Sequence, residues 1–329
     1  MFKSRKVRLA SVTVAAILAL SGCGTTAVSA SSDAGSRGEV KKILFDYPYT
    51  ALPVYSALVP KIKAAAKKAG VSVEFTNDDM DLAKQVTNLN AYVSSDVDAV
   101  VSFPADPTSL EGIAKDYVNS GKYWVSYAGD VNGQDATLQW SFEKSGRMLG
   151  EDAGTWAQKN LGGKGKVLII SETTVQVGRE RTKGLIAGLK ETAPDMTVVL
   201  DQEGVTPTDG LTITNAVLAK HPDVNMVLAT VGDAAQGAYQ ALVASGRSET
   251  DAKTYVGGLD PNLFELQKME AGSFFRGTTY FSLDDMATAV VNIPIALGEG
   301  KKNASINLPV KLVKHGDPQM AFYIQELGG

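Results

Sequence analysis

The stretch "KKILFDYPYTALPVYSALVPKIKAAAKKAGVSVEF", Lys41–Phe75, decides the fold. It opens with a short apolar run, Ile43 to Phe45. A segment with apolar residues at helical spacing follows, from Pro53 to Ala69, and Gly70 stands where a helix would stop. A second apolar run, "VSVEF", comes directly after. Strand, helix, strand at this spacing is the unit of a parallel sheet, because a parallel neighbour needs a long crossover.

The same unit repeats along the chain. "DLAKQVTNLNAYVSS" predicts a helix before the strand "VDAVVSF", and "TSLEGIAKDYVNSG" predicts one before the strand "YWVSYAG". The rhythm then restarts with a helix near Glu143–Asn160 and the strand "GKVLIIS", followed by a helix over Gly178–Thr192 and the strand "MTVVL". A helix over Gly210–Lys220 leads to "VNMVLAT", one over Ala234–Ser245 to "AKTYVGG", and one over Asn262–Ala271 to "FRGTTYF". A helix over Leu283–Leu297 closes the series. The strands are near-continuous apolar runs, as expected where helices cover both faces of a sheet. Two successive sets predict an α/β protein of two similar, doubly wound parallel-sheet lobes. In such sheets a ligand sits beyond the carboxyl ends of the strands, so the residues just after each strand are the candidates.

The amino-terminal end has a different character. Lys3, Arg5, Lys6 and Arg8 precede Leu9–Leu20, a run of small and apolar residues. Twelve helical residues span roughly 18 Å, short of the ~30 Å hydrocarbon core, so this is an export signal rather than a membrane span. Leu20-Ser21-Gly22-Cys23 resembles the bacterial lipobox, and Cys23 is the only cysteine of the 329 residues. The resemblance implies cleavage before Cys23 and lipidation of its thiol, with stable anchoring from two or more acyl chains. The alternative is an ordinary secretory signal with an incidental cysteine. Residues 24–38 are small, polar and unpatterned, so residues 23–39 read as a flexible tether, with folding from about Val40.

Composition excludes several classes. Loss of the four leader cations takes the net charge from −4 to −8, a poor balance for binding nucleic acid. His221 sits in a turn and His315 near the tail, both away from the expected cleft, no serine stands in a nucleophile elbow, and "GGKGK" at 162–166 lacks phosphate-loop spacing. No metal-ligand spacing occurs, and no cofactor is expected.

Several segments resemble the periplasmic sugar-binding proteins of ABC importers, the ribose/galactose type with the type I two-lobed fold. They are "SFEKSGRMLGEDAG", "GRERTKGL" at 178–185, "GLTITNAVLAKHPDVNMVLAT", "AQGAYQALVASGR" and "VGGLD", in the family's order. The resemblance covers about Val40–Lys314. It implies three interlobe crossings, near Trp140–Ser141, Phe281–Ser282 and Leu308–Pro309. Lobe one would then hold residues 40–140 and 282–308, and lobe two residues 141–281 and 309–329. It further implies a monomeric, lipid-anchored receptor on the outer face of the membrane that closes by hinge motion on a carbohydrate or polyol and passes it to an ABC permease.

The resemblance places Arg181 and Asp260 at ligand positions: a planar donor fork and a carboxylate acceptor suit vicinal hydroxyls. Arg181 could instead be an exposed arginine at a helix start, and Asp260 a helix N-cap before Pro261. The aromatic candidates are Tyr47, Tyr49 and Tyr55 around the first strand-to-helix loop, Tyr127 at the end of a strand, Trp140 at the first crossing and Phe281 at the second. Core packing is the other explanation for each. Asp46 breaks an apolar strand and either faces the ligand or holds the loop, while Asp130 and Asp233 follow strands.

The chain also departs from the ribose type. Leu52 stands for an asparagine, Ala128-Gly129 for an Asp-Arg pair, Val231-Gly232 for an Asn-Asp pair, and Phe281 for a glutamine. These changes imply a ligand other than ribose, such as a polyol, deoxy sugar or cyclitol. Rival readings are a receptor for a nucleoside or signalling furanose, and an exported hydrolase pairing Asp260 with Asp130 or Asp233.

Overall fold

A computed structural model describes residues 37–49 and 52–329. The signal sequence and Cys23 lie outside these residues. The chain runs β1 (Lys42–Tyr47), α1 (Pro53–Ala69), β2 (Ser72–Asn77), α2 (Leu82–Val93), β3 (Ala99–Ser102), α3 (Pro107–Asn119), β4 (Tyr123–Tyr127) and β5 (Ala136–Trp140). It continues with α4 (Phe142–Leu161), β6 (Gly165–Ser171), α5 (Gln176–Thr192), β7 (Met196–Glu203), α6 (Pro207–Lys220), β8 (Met226–Ala229) and α7 (Gly232–Ala244). The last part is β9 (Tyr255–Leu259), α8 (Leu263–Glu270), β10 (Phe275–Tyr280), α9 (Leu283–Gly298), β11 (Ile306–Leu308), β12 (Lys311–Lys314) and α10 (Met320–Glu326).

Two six-stranded sheets result, in the orders β11-β5-β4-β3-β1-β2 and β12-β10-β9-β8-β6-β7. The fold is therefore α/β with two parallel-sheet lobes. β1 shows why its residues are apolar without alternation. Ile43 and Phe45 join the core under α1 and α9, while Leu44 joins a separate core with Leu89 of α2 and Leu110 of α3. Successive side chains point to opposite faces, and each face carries helices. β6 repeats the device, with Leu168 and Ile170 in one core and Val167 and Ile169 in the other. Gly70 ends α1 as expected, at φ 74°, donating its N–H to the Ala66 and Lys67 carbonyls.

The chain passes between the sheets three times: after β5, after β10 and between β11 and β12. β5, β11, β12 and α10 had no clear sequence signal as separate elements, and β12 is antiparallel to β10 rather than parallel. α10 bridges the hinge region. It packs on α8, while Glu326 Oε1 accepts hydrogen bonds from Ser282 Oγ and Asp284 N, both 3.0 Å away at the start of α9.

Residues 37–39, read as the end of a tether, are held to the fold. Arg37 N donates to Tyr123 Oη at 2.6 Å, and its guanidinium grips both Asp135 oxygens at 2.7 Å. A single arginine among small polar residues carries no periodicity, so this clamp could not be read from sequence. Among the described residues no helix is long and apolar enough to cross a membrane.

Lobe two is built on close helix contacts. On α4, Gly146 and Gly150 lie against α5, which presents Gly184 and Gly188 in return. A Cβ added at Gly184 would lie 2.0 Å from the Glu143 carbonyl oxygen, and one at Gly146 would lie 2.0 Å from that of Arg181. Only glycine allows two backbones to approach so closely, and the contact fixes the turn of α5 that carries Arg181.

Candidate functional site

The carboxyl ends of the two sheets face one another across a cavity of about 120 Å³. Both lobes line it. The lobes meet at its mouth, where Asp130 N donates to Gln176 Oε1 at 3.3 Å and Val175 and Val177 of lobe two pack into the core of lobe one. The arrangement is that of a closed cleft.

α5 supplies Arg181, which is buried. Its Nη2 donates to Asp260 Oδ2 at 2.5 Å and its Nη1 to the Thr230 carbonyl at 3.4 Å, while Nε has no partner among the described residues. The guanidinium carbon stands 5.6 Å over the Trp140 ring, within cation–π range. Trp140 in turn stacks on Phe281, with centroids 4.5 Å apart at 28°. The two hinge crossings thus furnish a continuous aromatic wall. Trp140 Nε1 is also buried without a partner among the described residues. A buried donor of this kind costs free energy until something accepts from it.

Asp260 follows β9 in the left-handed region, at φ 58°. It does not cap α8: Asn262 does, its side chain accepting from Glu265 N at 3.2 Å. Burial pushes the Asp260 carboxyl up despite the opposing pull of Arg181. Asp233, in the first turn of α7, accepts from Asn262 Nδ2 at 2.7 Å. Burial raises its pKa to about 6, with Asn262 opposing and the charge of Asp260 adding. Behind them Glu265 is fully buried, both its oxygens lack partners among the described residues, and burial holds its pKa well above the usual range. Gly232 makes room for this: a Cβ there would lie 2.6 Å from the Asp260 carbonyl oxygen and 2.7 Å from Glu265 Oε2.

The lobe-one wall is aromatic and apolar. Tyr49 and Tyr55 line it from the first loop and α1, and Tyr127 Oη donates to Tyr55 Oη at 3.3 Å. Burial raises both of those phenols.

Of the residues proposed from sequence, Arg181, Asp260, Trp140, Tyr49, Tyr55, Asp233, Phe281 and Tyr127 line the cavity. Three do not. Tyr47 lies behind the wall, tilted against Tyr55 at 5.2 Å and stacked on Phe45. Asp46 is completely buried, accepting from Ser102 Oγ at 2.6 Å, Thr76 Oγ1 at 2.8 Å and Gln85 Nε2 at 2.9 Å. It ties β1, β2, β3 and α2 together and does not line the cavity. Asp130 lies outside the cavity, in a more open groove, accepting from Gln134 and Gln139 at 2.9 and 2.7 Å.

Sequence reasoning missed Glu172, Asn262 and Glu265. Glu172 follows β6 by one residue, the position from which the other candidates were drawn. It lines the cavity, and its Oε1 accepts from Thr174 N at 2.8 Å, fixing the loop into α5. Glu265 reads in sequence as an ordinary first-turn acid of a helix. Among the described residues no cluster of His, Cys, Asp and Glu is suited to a metal ion.

Comparison with known proteins agrees with this geometry. The pattern that defines the periplasmic binding protein domain matches residues 43–302. The ABC transporter periplasmic-binding protein YphF of Escherichia coli is 24% identical over 245 residues, covering 72% of this chain and 74% of the relative. The D-xylose-binding periplasmic protein of the same organism is 25% identical, covering 73% and 72%. The crystal structure of the Caulobacter myo-inositol binding protein, bound to myo-inositol, superposes with a TM-score of 0.77 at 22% identity. That match covers 87% of this chain and 97% of the other.

Proposed function

The chain belongs to the periplasmic binding protein domain family, and on that premise we propose that it is a lipid-anchored receptor that captures a monosaccharide or polyol and delivers it to an ABC permease. The observation that carries this reading is the Arg181–Asp260 pair set against the stacked Trp140 and Phe281 inside a cavity closed by two lobes. A fork of donors, carboxylate acceptors and a flat apolar face are what a small polyhydroxylated ring requires. The named relatives support the class of ligand: one is named for D-xylose and one structure holds myo-inositol.

The cavity wall argues for a ligand other than ribose, because Leu52, Ala128 and Phe281 bring no polar side chain to the hydroxyls facing them. Three crossings between the lobes favour hinge opening as the route of entry and release. Capture without turnover is the expected behaviour. Of the pairs a hydrolase would use, Asp260 with Asp130 is divided, since Asp130 lies outside the cavity, and Asp233 stands on the same lobe as Asp260. The lipid anchor rests on the Leu20–Cys23 tetrapeptide and the preceding charged and apolar segments.

The test is a thermal-shift screen of the purified chain against pentoses, hexoses, polyols and nucleosides. A ligand present at 100 times its Kd stabilises by ~2.7 kcal/mol, which is readily seen. Stabilisation by nucleosides alone, or release of a chemically altered ligand, would defeat the proposal.

A further inference from the structure

The charge on the cavity wall is lopsided. Among the described residues the lobe-one lining, including Tyr49, Leu52, Tyr55, Phe103 and Tyr127, contains no carboxylate, lysine or arginine. The lobe-two lining contains one cation, Arg181, and three carboxylates, Glu172, Asp233 and Asp260. Arg181 is already committed to Asp260. Glu172 is satisfied by the backbone of its own loop through Thr174 and Val175. Asp233 has only the neutral amides of Asn262 for a donor, shared with Gln236, and the unpartnered Glu265 stands behind it.

A neutral polyol would seal this excess of negative charge in a closed cavity with nothing to balance it. Unpaired carboxylates taken out of water are costly, and a cation brought with the ligand relieves the cost. An ammonium group supplies three donors to acceptors that have lone pairs to spare. Trp140 Nε1 and Arg181 Nε, in the same wall, are buried without a partner among the described residues.

We propose that the ligand of this cleft is a compact aminated polyol, such as an amino sugar or aminocyclitol. Its ammonium faces Asp233 and Asp260, the two carboxylates that line the cavity beside Arg181. This rests on the reading of the cleft as a polyol site and narrows it.

The experiment is calorimetric titration of the purified chain at pH 7 with matched pairs: glucosamine against glucose, galactosamine against galactose, and an amino-inositol against inositol. The amine of the best-binding pair is expected to bind at least tenfold tighter than its neutral partner, and added salt should narrow that ratio. Asp233→Asn, checked for folding by its melting transition, should shrink the ratio to below threefold. A neutral partner that binds as tightly as its amine overturns this inference and leaves the polyol-receptor reading standing. Failure of every amine and every neutral sugar or cyclitol to bind overturns both.

Discussion

Arg181 donates to Asp260 across 2.5 Å, so donor fork and carboxylate are fixed against each other before any ligand arrives. The pair links α5 to the end of β9, two elements that also share a core through Leu185, Leu189, Tyr255 and Leu259. Both residues line the cavity. A site held by its own ion pair needs little reordering on binding, and that preorganisation is itself a source of affinity.

Replacing Arg181 with alanine should therefore act twice. Ligand affinity should fall at least a hundredfold, and the melting temperature should drop, because Asp260 and the Thr230 carbonyl lose their donor. Leaving a buried acceptor unpaired costs about 1–3 kcal/mol. Arg181→Lys restores charge without the fork, so it should recover stability more than affinity. Titration and differential scanning calorimetry of both variants separate the two effects.

The α4–α5 contact predicts opposite outcomes for two glycines. Gly184→Ala places a methyl 2.0 Å from the Glu143 carbonyl oxygen, so the helices must part and the chain should lose about 1–3 kcal/mol. The shift carries Arg181 with it, so affinity should fall too. Gly112 of α3 faces open space, with nothing within 4 Å of an added Cβ. Gly112→Ala should be stabilising, by up to ~1 kcal/mol from helix propensity. Melting curves check both.

Buried carboxyls set the pH dependence of the unliganded chain. Asp46 and Asp78, buried together, are both held above the ordinary carboxylate range, chiefly by burial. Asp233 is raised to about 6, also by burial. A carboxyl whose pKa is raised on folding binds its proton more tightly in the folded state. Stability from these groups therefore grows as pH falls through their folded values towards the unfolded value near ~4. The melting temperature should rise from pH 8 to pH 5. Asp78→Asn, which removes one charge of the pair, should melt higher than the parent at pH 8 and show a smaller rise. A parent curve that falls steadily from pH 8 to 5 would contradict this assignment.

Lipidation predicts a simple readout. Cells fed an alkyne-bearing fatty acid should label the protein, and Cys23→Ser should abolish the label and release the protein from the membrane fraction. Label persisting in that variant would remove Cys23 from the account.

Much of the architecture was legible because parallel strands covered on both faces must be apolar throughout, as β1 and β6 are. Elements that escaped notice are short or atypical. β11 has three residues, and β5 reads as an alternating "ATLQW" at the edge of a crossing. In the site, the rule of looking just past each strand reached Arg181, Asp233 and Asp260 but also drew in Asp46. Adjacent strand residues point to opposite faces. Phe45 faces α1, and Asp46 beside it bonds Gln85 of α2, a choice that no local pattern records. Glu265 and the facing glycines of α4 and α5 depend on which helices pack together, and this is known only once the lobe is built.

The most direct test of the central claim is calorimetric titration of the purified chain with sugars, polyols and their aminated counterparts, in the parent and in Arg181→Ala. The account predicts one saturable site per chain for at least one of these ligands, recovered unchanged afterwards, with binding lost in the variant. No binding by any of them, or equal affinity in parent and variant, would contradict it.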